Sequence, residues 1–204
     1  ISLSDGDIIQ FIKDITEKFR TIGETKKLRV SFFSNVSSLN ISFDSDKMEK
    51  IINNLLSNAI KFSPDGGTVD VNVGLDYNDA FIETLEIKIS DTGIGIKDVD
   101  KQRIFDRFYQ VDNLDIESNG SGIGLSIVKD FVDVLKGKIM VYDNVPKGSV
   151  VVLEIPIKRS KTATKSTEEE SSDSDGMIKP LDNVHDDVPY IHTIQEIRAA
   201  IAAG

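Results

Sequence analysis

The sequence predicts an α/β sandwich: a mixed, mostly antiparallel sheet of about five strands covered on one face by about three helices. Two observations are consistent with this. Short segments with apolar residues at every second position alternate along the chain with longer segments whose apolar residues recur at helical spacing. Hydrophobic side chains make up 39% of the 204 residues, enough for one sizeable core.

Taken in order, Ile8, Phe11, Ile12, Ile15 and Phe19 fall at helical spacing, so residues 5–20 read as an amphipathic helix. Leu28-Arg-Val-Ser-Phe32 alternates as a strand, and Ile41-Ser-Phe43 is a shorter second one; both read as sheet edges. Asp44 and Ser45 offer caps for a helix from about Asp46 to Phe62, with Met48, Ile51, Ile52, Leu55, Leu56 and Ala59 on its apolar face. Asn54, Asn58 and Lys61 gather on its other side. Ser63-Pro-Asp-Gly-Gly67 stops that helix. Val69, Val71 and Val73 then pair, across a polar loop at Asp76–Ala80, with Leu85, Ile87 and Ile89 as a hairpin. After Asp91-Thr-Gly-Ile-Gly-Ile96 comes a short helical stretch ending in Phe105, Phe108 and Tyr109, an apolar anchor for the mobile polar segment from about Asp112 to Asn119. A second good helix carries Ile123, Ile127, Phe131, Val134 and Leu135, and strands at Lys138–Tyr142 and Ser149–Ile157 close the domain.

The formal charge of −10 argues against bulk attraction to nucleic acid or anionic lipid. Half of that excess lies in residues 160–204, where four basic side chains face nine acids. Residues 159–176 turn to Ser, Thr, Glu and Asp and read as a disordered linker, and residues 177–204, where Ile191, Ile194, Ile197 and Ile201 could stripe a short helix, as a tail of unknown role. There is no cysteine, which fits a reducing compartment, and no apolar run long enough to cross a membrane; the fragment is expected to be cytoplasmic.

Three elements far apart in sequence carry chemistry: Asn54-Leu-Leu-Ser-Asn58-Ala-Ile-Lys61-Phe62, Asp91-Thr-Gly93-Ile-Gly95-Ile96, and Gly120-Ser121-Gly122-Ile123-Gly124-Leu125 at the start of a helix. Singly, each has a plain explanation as a solvated helix face, a turn or a glycine-rich helix start. Together, and in this order, they resemble the signature boxes of the histidine kinase catalytic domain within the wider Bergerat-fold ATPase family. Ile104-Phe-Asp-Arg-Phe-Tyr-Gln-Val111 resembles that family's aromatic box, and the resemblance runs over about residues 5–158.

The resemblance implies ATP as phosphate donor, with Mg2+ held by the Asn58 amide oxygen, a hard neutral ligand suited to that ion. It implies that Lys61 meets phosphate charge, that Asp91 accepts from the adenine amine, and that Gly93, Gly95 and Ile96, together with Tyr109, Gly120, Ser121, Gly122, Ile123, Gly124 and Leu125, line the nucleotide. Gln110 falls where relatives position the γ-phosphate, and Arg107 and Arg103 are the cationic candidates beside it. Asn54 decides the subclass. The family's hydrolases carry a glutamate there to activate water, and an amide cannot take that proton.

The phosphoacceptor histidine of such a kinase opens an apolar helix. The only histidines, His185 and His192, lie beyond the acidic linker, and Pro189 follows too soon after His185 for such a helix. The resemblance therefore implies a donor domain at residues 23–158, reached through a lead-in helix at 1–22 from a phosphoacceptor hairpin of the same parent protein. A response regulator or receiver domain would act downstream; membrane anchorage of the parent and a hybrid architecture both stay open. A nucleotide-sensing pseudokinase and a Bergerat-fold ATPase are the alternative functions; near Lys136-Gly137 the family usually shows two glycines.

Overall fold

The computed structural model describes residues 1–77, 83–111 and 121–157; the polar hairpin loop, the expected lid with Gly120, the acidic linker and the tail with both histidines lie outside the described residues. The chain opens with strand β1 (Ser4–Asp7) and helix α1 (Ile8–Glu24), followed by β2 (Arg29–Ser34), β3 (Asn40–Phe43) and helix α2 (Ser45–Phe62). Strands β4 (Thr68–Tyr77) and β5 (Glu83–Asp91) follow, then the short helix α3 (Asp98–Lys101) and a 3-10 turn at Arg103–Phe105. Helix α4 (Gly124–Val134) and strands β6 (Lys138–Asp143) and β7 (Ser149–Pro156) complete it.

Five strands form one sheet in the order β2-β4-β5-β7-β6, with β2 and β4 parallel and every other pair antiparallel. This is the mixed, mostly antiparallel sheet that the family resemblance implies. The register aligns apolar rows across it: Val73 faces Ile87 and Ile87 faces Leu153, while Val71 faces Ile89 and Ile89 faces Val151. Helices α1, α2 and α4 bring Ile8, Ile12, Ile51, Ile52, Leu56, Val128 and Val132, each fully or almost fully buried, into the same core as these rows. Each such side chain contributes roughly 1.5–3 kcal/mol by leaving water. Helix α1 thus buries its apolar face in the same core as the sheet, α2 and α4.

Two expectations change. The edge role holds for β2, but β3 leaves the main sheet and pairs with β1, Ser4 opposite Phe43 and Asp7 opposite Asn40. The helix expected from residue 5 starts at Ile8 because Asp7 caps it, accepting from the backbone N–H of Ile9 at 3.0 Å and Gln10 at 3.4 Å. The same carboxylate oxygen accepts from Leu39 N at 3.0 Å, so one side chain starts the helix and fastens the β3 approach to it.

Asp44 does the same for α2. Only 1% exposed, it accepts from Lys47 N at 3.1 Å, Lys47 Nζ at 2.9 Å and Ser2 N at 2.8 Å. Burial alone would raise its pKa, but the Lys47 ammonium and these backbone donors outweigh it and bring the carboxyl from 3.8 down to about 2. A depressed folded-state pKa stabilises the fold above the unfolded value and loses that stabilisation as pH falls through the folded one. Acidification from pH 3.8 towards 2 is therefore expected to erode the stability that Asp44 provides. Asp44→Asn, followed by denaturant titration at several pH values, should be less stable at neutral pH and show a flatter profile across that window. Asp44→Ala should cost about 1–2 kcal/mol at neutral pH.

Candidate nucleotide site

Strand β5 alternates Leu85, Ile87 and Ile89 into the core, and Asp91 is the next residue in that row. A carboxylate there, 7% exposed, must be hydrogen-bonded. One oxygen accepts from Gly93 N at 2.8 Å and from Ser149 N at 3.2 Å; the other accepts from Ser149 Oγ at 2.5 Å. A carboxylate offers about four acceptor positions, so these three bonds leave room for a further donor. The backbone carbonyl of Asp91 accepts from Asn144 Nδ2 at 2.8 Å.

The turn after Asp91 is packed against its neighbours without side chains. A Cβ on Gly93 would lie 2.7 Å from both Asp91 Oδ1 and the carbonyl oxygen of Phe62, and Ile94 N donates to that carbonyl at 3.3 Å. At Gly148 the backbone takes φ +125° and a Cβ would sit 1.9 Å from Asp91 O. Glycine is the residue whose backbone meets both requirements there. Gly95 comes against the same loop, a Cβ there lying 3.3 Å from Gly148 O.

Helix α2 joins this centre from the side. Its buried face holds all six apolar residues that the pattern predicts, leaving Asn54, Asn58 and Lys61 half-buried on the other side. Asn54 donates through Nδ2 to Lys50 O at 2.7 Å, and its Oδ1 lies 2.6 Å from where a Cβ on Gly124 would stand. That close approach brings the asparagine box against the start of the glycine helix. The Asn58 amide makes no hydrogen bond among the described residues. The Lys61 ammonium lies 5.3 Å from the centre of the Phe62 ring.

No group of three or more His, Cys, Asp or Glu side chains suited to a metal occurs among the described residues. The donor set fits a magnesium ion that takes one amide oxygen from protein and fills its shell with water and phosphate oxygens. Asn58 has an amide available for that, and Lys61, one turn on, is a cation on the same face.

The aromatic box differs in detail from the expected apolar anchor. Ile104 is its buried member and Phe105 is half-buried, whereas Phe108 is 73% exposed with φ +65°. Gly122, at φ +66°, lets Phe108 N donate to Gly122 O at 2.9 Å, a bond that fastens the box to the glycine segment. Tyr109 is anchored through its polar end: its hydroxyl donates to the buried Asp100 at 2.6 Å, and Arg103 stacks 4.4 Å from its ring centre. Arg107 forms an exposed ion pair with Asp130 at 2.9 Å, and Gln110 and Ser121 are exposed. Ile96, Ile123 and Leu125 are half-buried beside the glycines. Sequence reasoning passed over Ser149, Asn144 and Thr92, whose Oγ1 accepts from Thr68 N at 2.8 Å. The available signal was positional: Ser149 opens the strand that pairs with β5, directly beyond the Ser90–Val150 pair.

Residues 43–159 match the family described as histidine kinase-, DNA gyrase B-, and HSP90-like ATPase. The chain belongs to this family. It is similar to the sensor histidine kinase WalK of Bacillus subtilis (strain 168), 33% identical over 157 residues that cover 76% of this chain and 25% of that protein. It thus spans about a quarter of that curated relative's length. The catalytic domain of histidine kinase ThkA superposes with a TM-score of 0.65 at 20% identity, covering 76% of this chain and 97% of that one, a likeness of fold. A second ThkA structure, in complex with the response regulator protein TrrA, matches with a TM-score of 0.63 at 20% identity over 76% of this chain and 42% of that one. The mixed five-stranded sheet with its helices is the fold of this family's kinase catalytic domains, and no helix among the described residues is long and apolar enough to cross a membrane.

Two glycines of this family member separate steric from conformational cost. Gly148→Ala should destabilise by more than about 3 kcal/mol, because backbone strain and a clash with Asp91 O coincide. Gly66→Ala, with φ +81° but nothing within 4 Å of the added carbon, should cost about 1 kcal/mol. Chemical denaturation of both variants checks the difference.

Proposed function

We propose that this chain binds Mg-ATP and donates its γ-phosphate to a histidine on a separate helical hairpin, as the donor domain of a two-component sensor kinase. The carrying observation is Asn54. It stands four residues before Asn58, where a general base would activate water, and its amide donates to Lys50 O while its oxygen faces Gly124. An amide cannot accept a proton near neutral pH, so the site is suited to holding the nucleotide until an imidazole arrives.

In this reading the remaining acceptor position on Asp91 takes the adenine amine, and Ser149 holds the carboxylate in orientation. Guanine would present a carbonyl oxygen to the same carboxylate, a mismatch of about 1–3 kcal/mol, so ATP is preferred over GTP. Asn58 holds Mg2+, which supplies charge neutralisation when bound, and Lys61 adds a positive charge on the same helix face. The N–H groups opening α4, with Gly120, Ser121, Gly122, Ile123, Gly124 and Leu125 around them, face phosphate oxygens. Gly93, Gly95, Ile96 and Tyr109 line the base, and Gln110 with Arg107 positions the γ-phosphate once Arg107 exchanges Asp130 for it.

The lead-in segment at 1–22 comes from the phosphoacceptor domain of the same parent, 23–158 is the donor domain, 159–176 a linker and 177–204 a tail. A response regulator or receiver domain is the downstream partner, a reading supported by the structure named above in which ThkA is in complex with the response regulator protein TrrA. This fragment works in the cytoplasm.

Calorimetric titration with ATP and GTP, with and without Mg2+, tests this. Wild type should bind ATP in a Mg2+-dependent manner, about 5–150-fold more tightly than GTP. Asp91→Asn should lose at least about tenfold in affinity, since a charged hydrogen-bond acceptor is replaced. Phosphate transfer to a supplied histidine hairpin should then follow in wild type. A folded wild type that binds no nucleotide would overturn the donor reading in favour of a regulatory pseudokinase.

A further inference from the structure

The last four carbonyls of a helix have no partner within it, and each needs one when buried. In α2 these belong to Ala59, Ile60, Lys61 and Phe62. Ser63 N donates to Ala59 O at 3.1 Å, and Ile94 N donates to Phe62 O at 3.3 Å. The donor that would ordinarily reach Ile60 O belongs to residue 64, a proline with no N–H. Lys26 takes over. Its ammonium donates to Ile60 O at 2.9 Å, Lys61 O at 3.2 Å and Ser63 O at 2.7 Å, using all three of its protons across the gap that Pro64 leaves.

The loop bearing Lys26 is itself fixed at this end of the domain. Lys26 N donates to Gly23 O at 3.0 Å and Lys26 O accepts from Gly66 N at 3.1 Å, while Arg29 N donates to Gly67 O at 3.0 Å. A positive charge there also complements the negative end of the α2 dipole. The carbonyl between the two that Lys26 grips and the one beyond is that of Phe62. It lies against Gly93 at the distance where a Cβ would collide, and it holds Ile94 by hydrogen bond. Gly93 N in turn donates to Asp91.

We infer that Lys26 is a positioning residue for the nucleotide site: by fixing the C-terminal end of α2 it sets the Phe62 carbonyl, and through it the Gly93–Ile94 turn that orients Asp91. It touches no substrate atom. Its consequence for binding rests on the donor reading given above, whereas its effect on the turn does not.

The test uses the full chain. Residue-resolved amide exchange, without nucleotide, compares wild type with Lys26→Met, Lys26→Arg and Asp7→Ala, the last removing the distant cap of α1 as a control for general loss of stability. Exchange at Ile94 should accelerate about tenfold or more in Lys26→Met, as expected for loss of a charged hydrogen-bonding group, recover most of the way in Lys26→Arg, and exceed any change in Asp7→Ala. ATP affinity measured on the same proteins should fall about tenfold in Lys26→Met and stay within about twofold in Asp7→Ala. Unchanged Ile94 exchange in a folded Lys26→Met, or equal acceleration in Asp7→Ala, overturns the inference. If wild type binds no ATP, the donor reading fails, and the Ile94 exchange still decides for or against Lys26.

Discussion

A carboxylate placed in line with a strand's core residues constrains everything around it. Leu85, Ile87 and Ile89 can be exchanged for other apolar groups of similar volume, but Asp91 needs donors at fixed positions in a site almost closed to water. Ser149 supplies two of them only if β7 begins where it does, and Gly93 supplies the third only if the chain turns at once. The near-contact of Gly148 with Asp91 O and of Gly93 with Phe62 O follows, because backbones must close around a short side chain. The site and the sheet register are therefore one arrangement.

Helix α2 is secured at both ends by side chains from elsewhere. Asp44, at its positive end, also takes the N–H of Ser2, and Lys26, at its negative end, comes from the loop before β2. Each charge matches the helix dipole, and each draws in the segment that precedes the sheet. The face carrying Asn54, Asn58 and Lys61 is thus held along its length while its opposite face lies in the core. The pairing of α2 with the start of α4, where Asn54 meets Gly124, then brings two of the three chemical boxes together.

Much of this was legible in the sequence, and the misses share a cause. The apolar period of α1, α2, α4 and β5 predicted their existence and their buried faces, because those faces are set by local periodicity. Strand β1 was not legible: Ser4–Asp7 carry no apolar alternation, and they extend only because β3 is there to pair with. Phe108 looked like an anchor by residue type, but its positive φ turns the backbone and leaves the ring exposed. Asn54, Asn58, Asp91 and the glycines stood out through their joint resemblance to the family's signature boxes. Ser149 and Lys26 did not, since a serine after a turn and a lysine before a strand have no pattern until the register and the missing N–H of Pro64 are known.

The distance in sequence between Asp91 and Ser149 has a consequence for how the protein is made. A growing chain holds Asn58, Asp91 and Gly93 well before Ser149 leaves the ribosome. Until then the carboxylate has no β7 to face, and the N-terminal portion remains a sheet with one side missing. The hydrogen-bonded arrangement around Asp91 cannot exist in a partial product. Nucleotide bound as proposed would therefore stabilise the finished domain but not guide its early folding, and a chain cut short before the last hairpin would lack the Asp91 arrangement altogether rather than carry a weakened one.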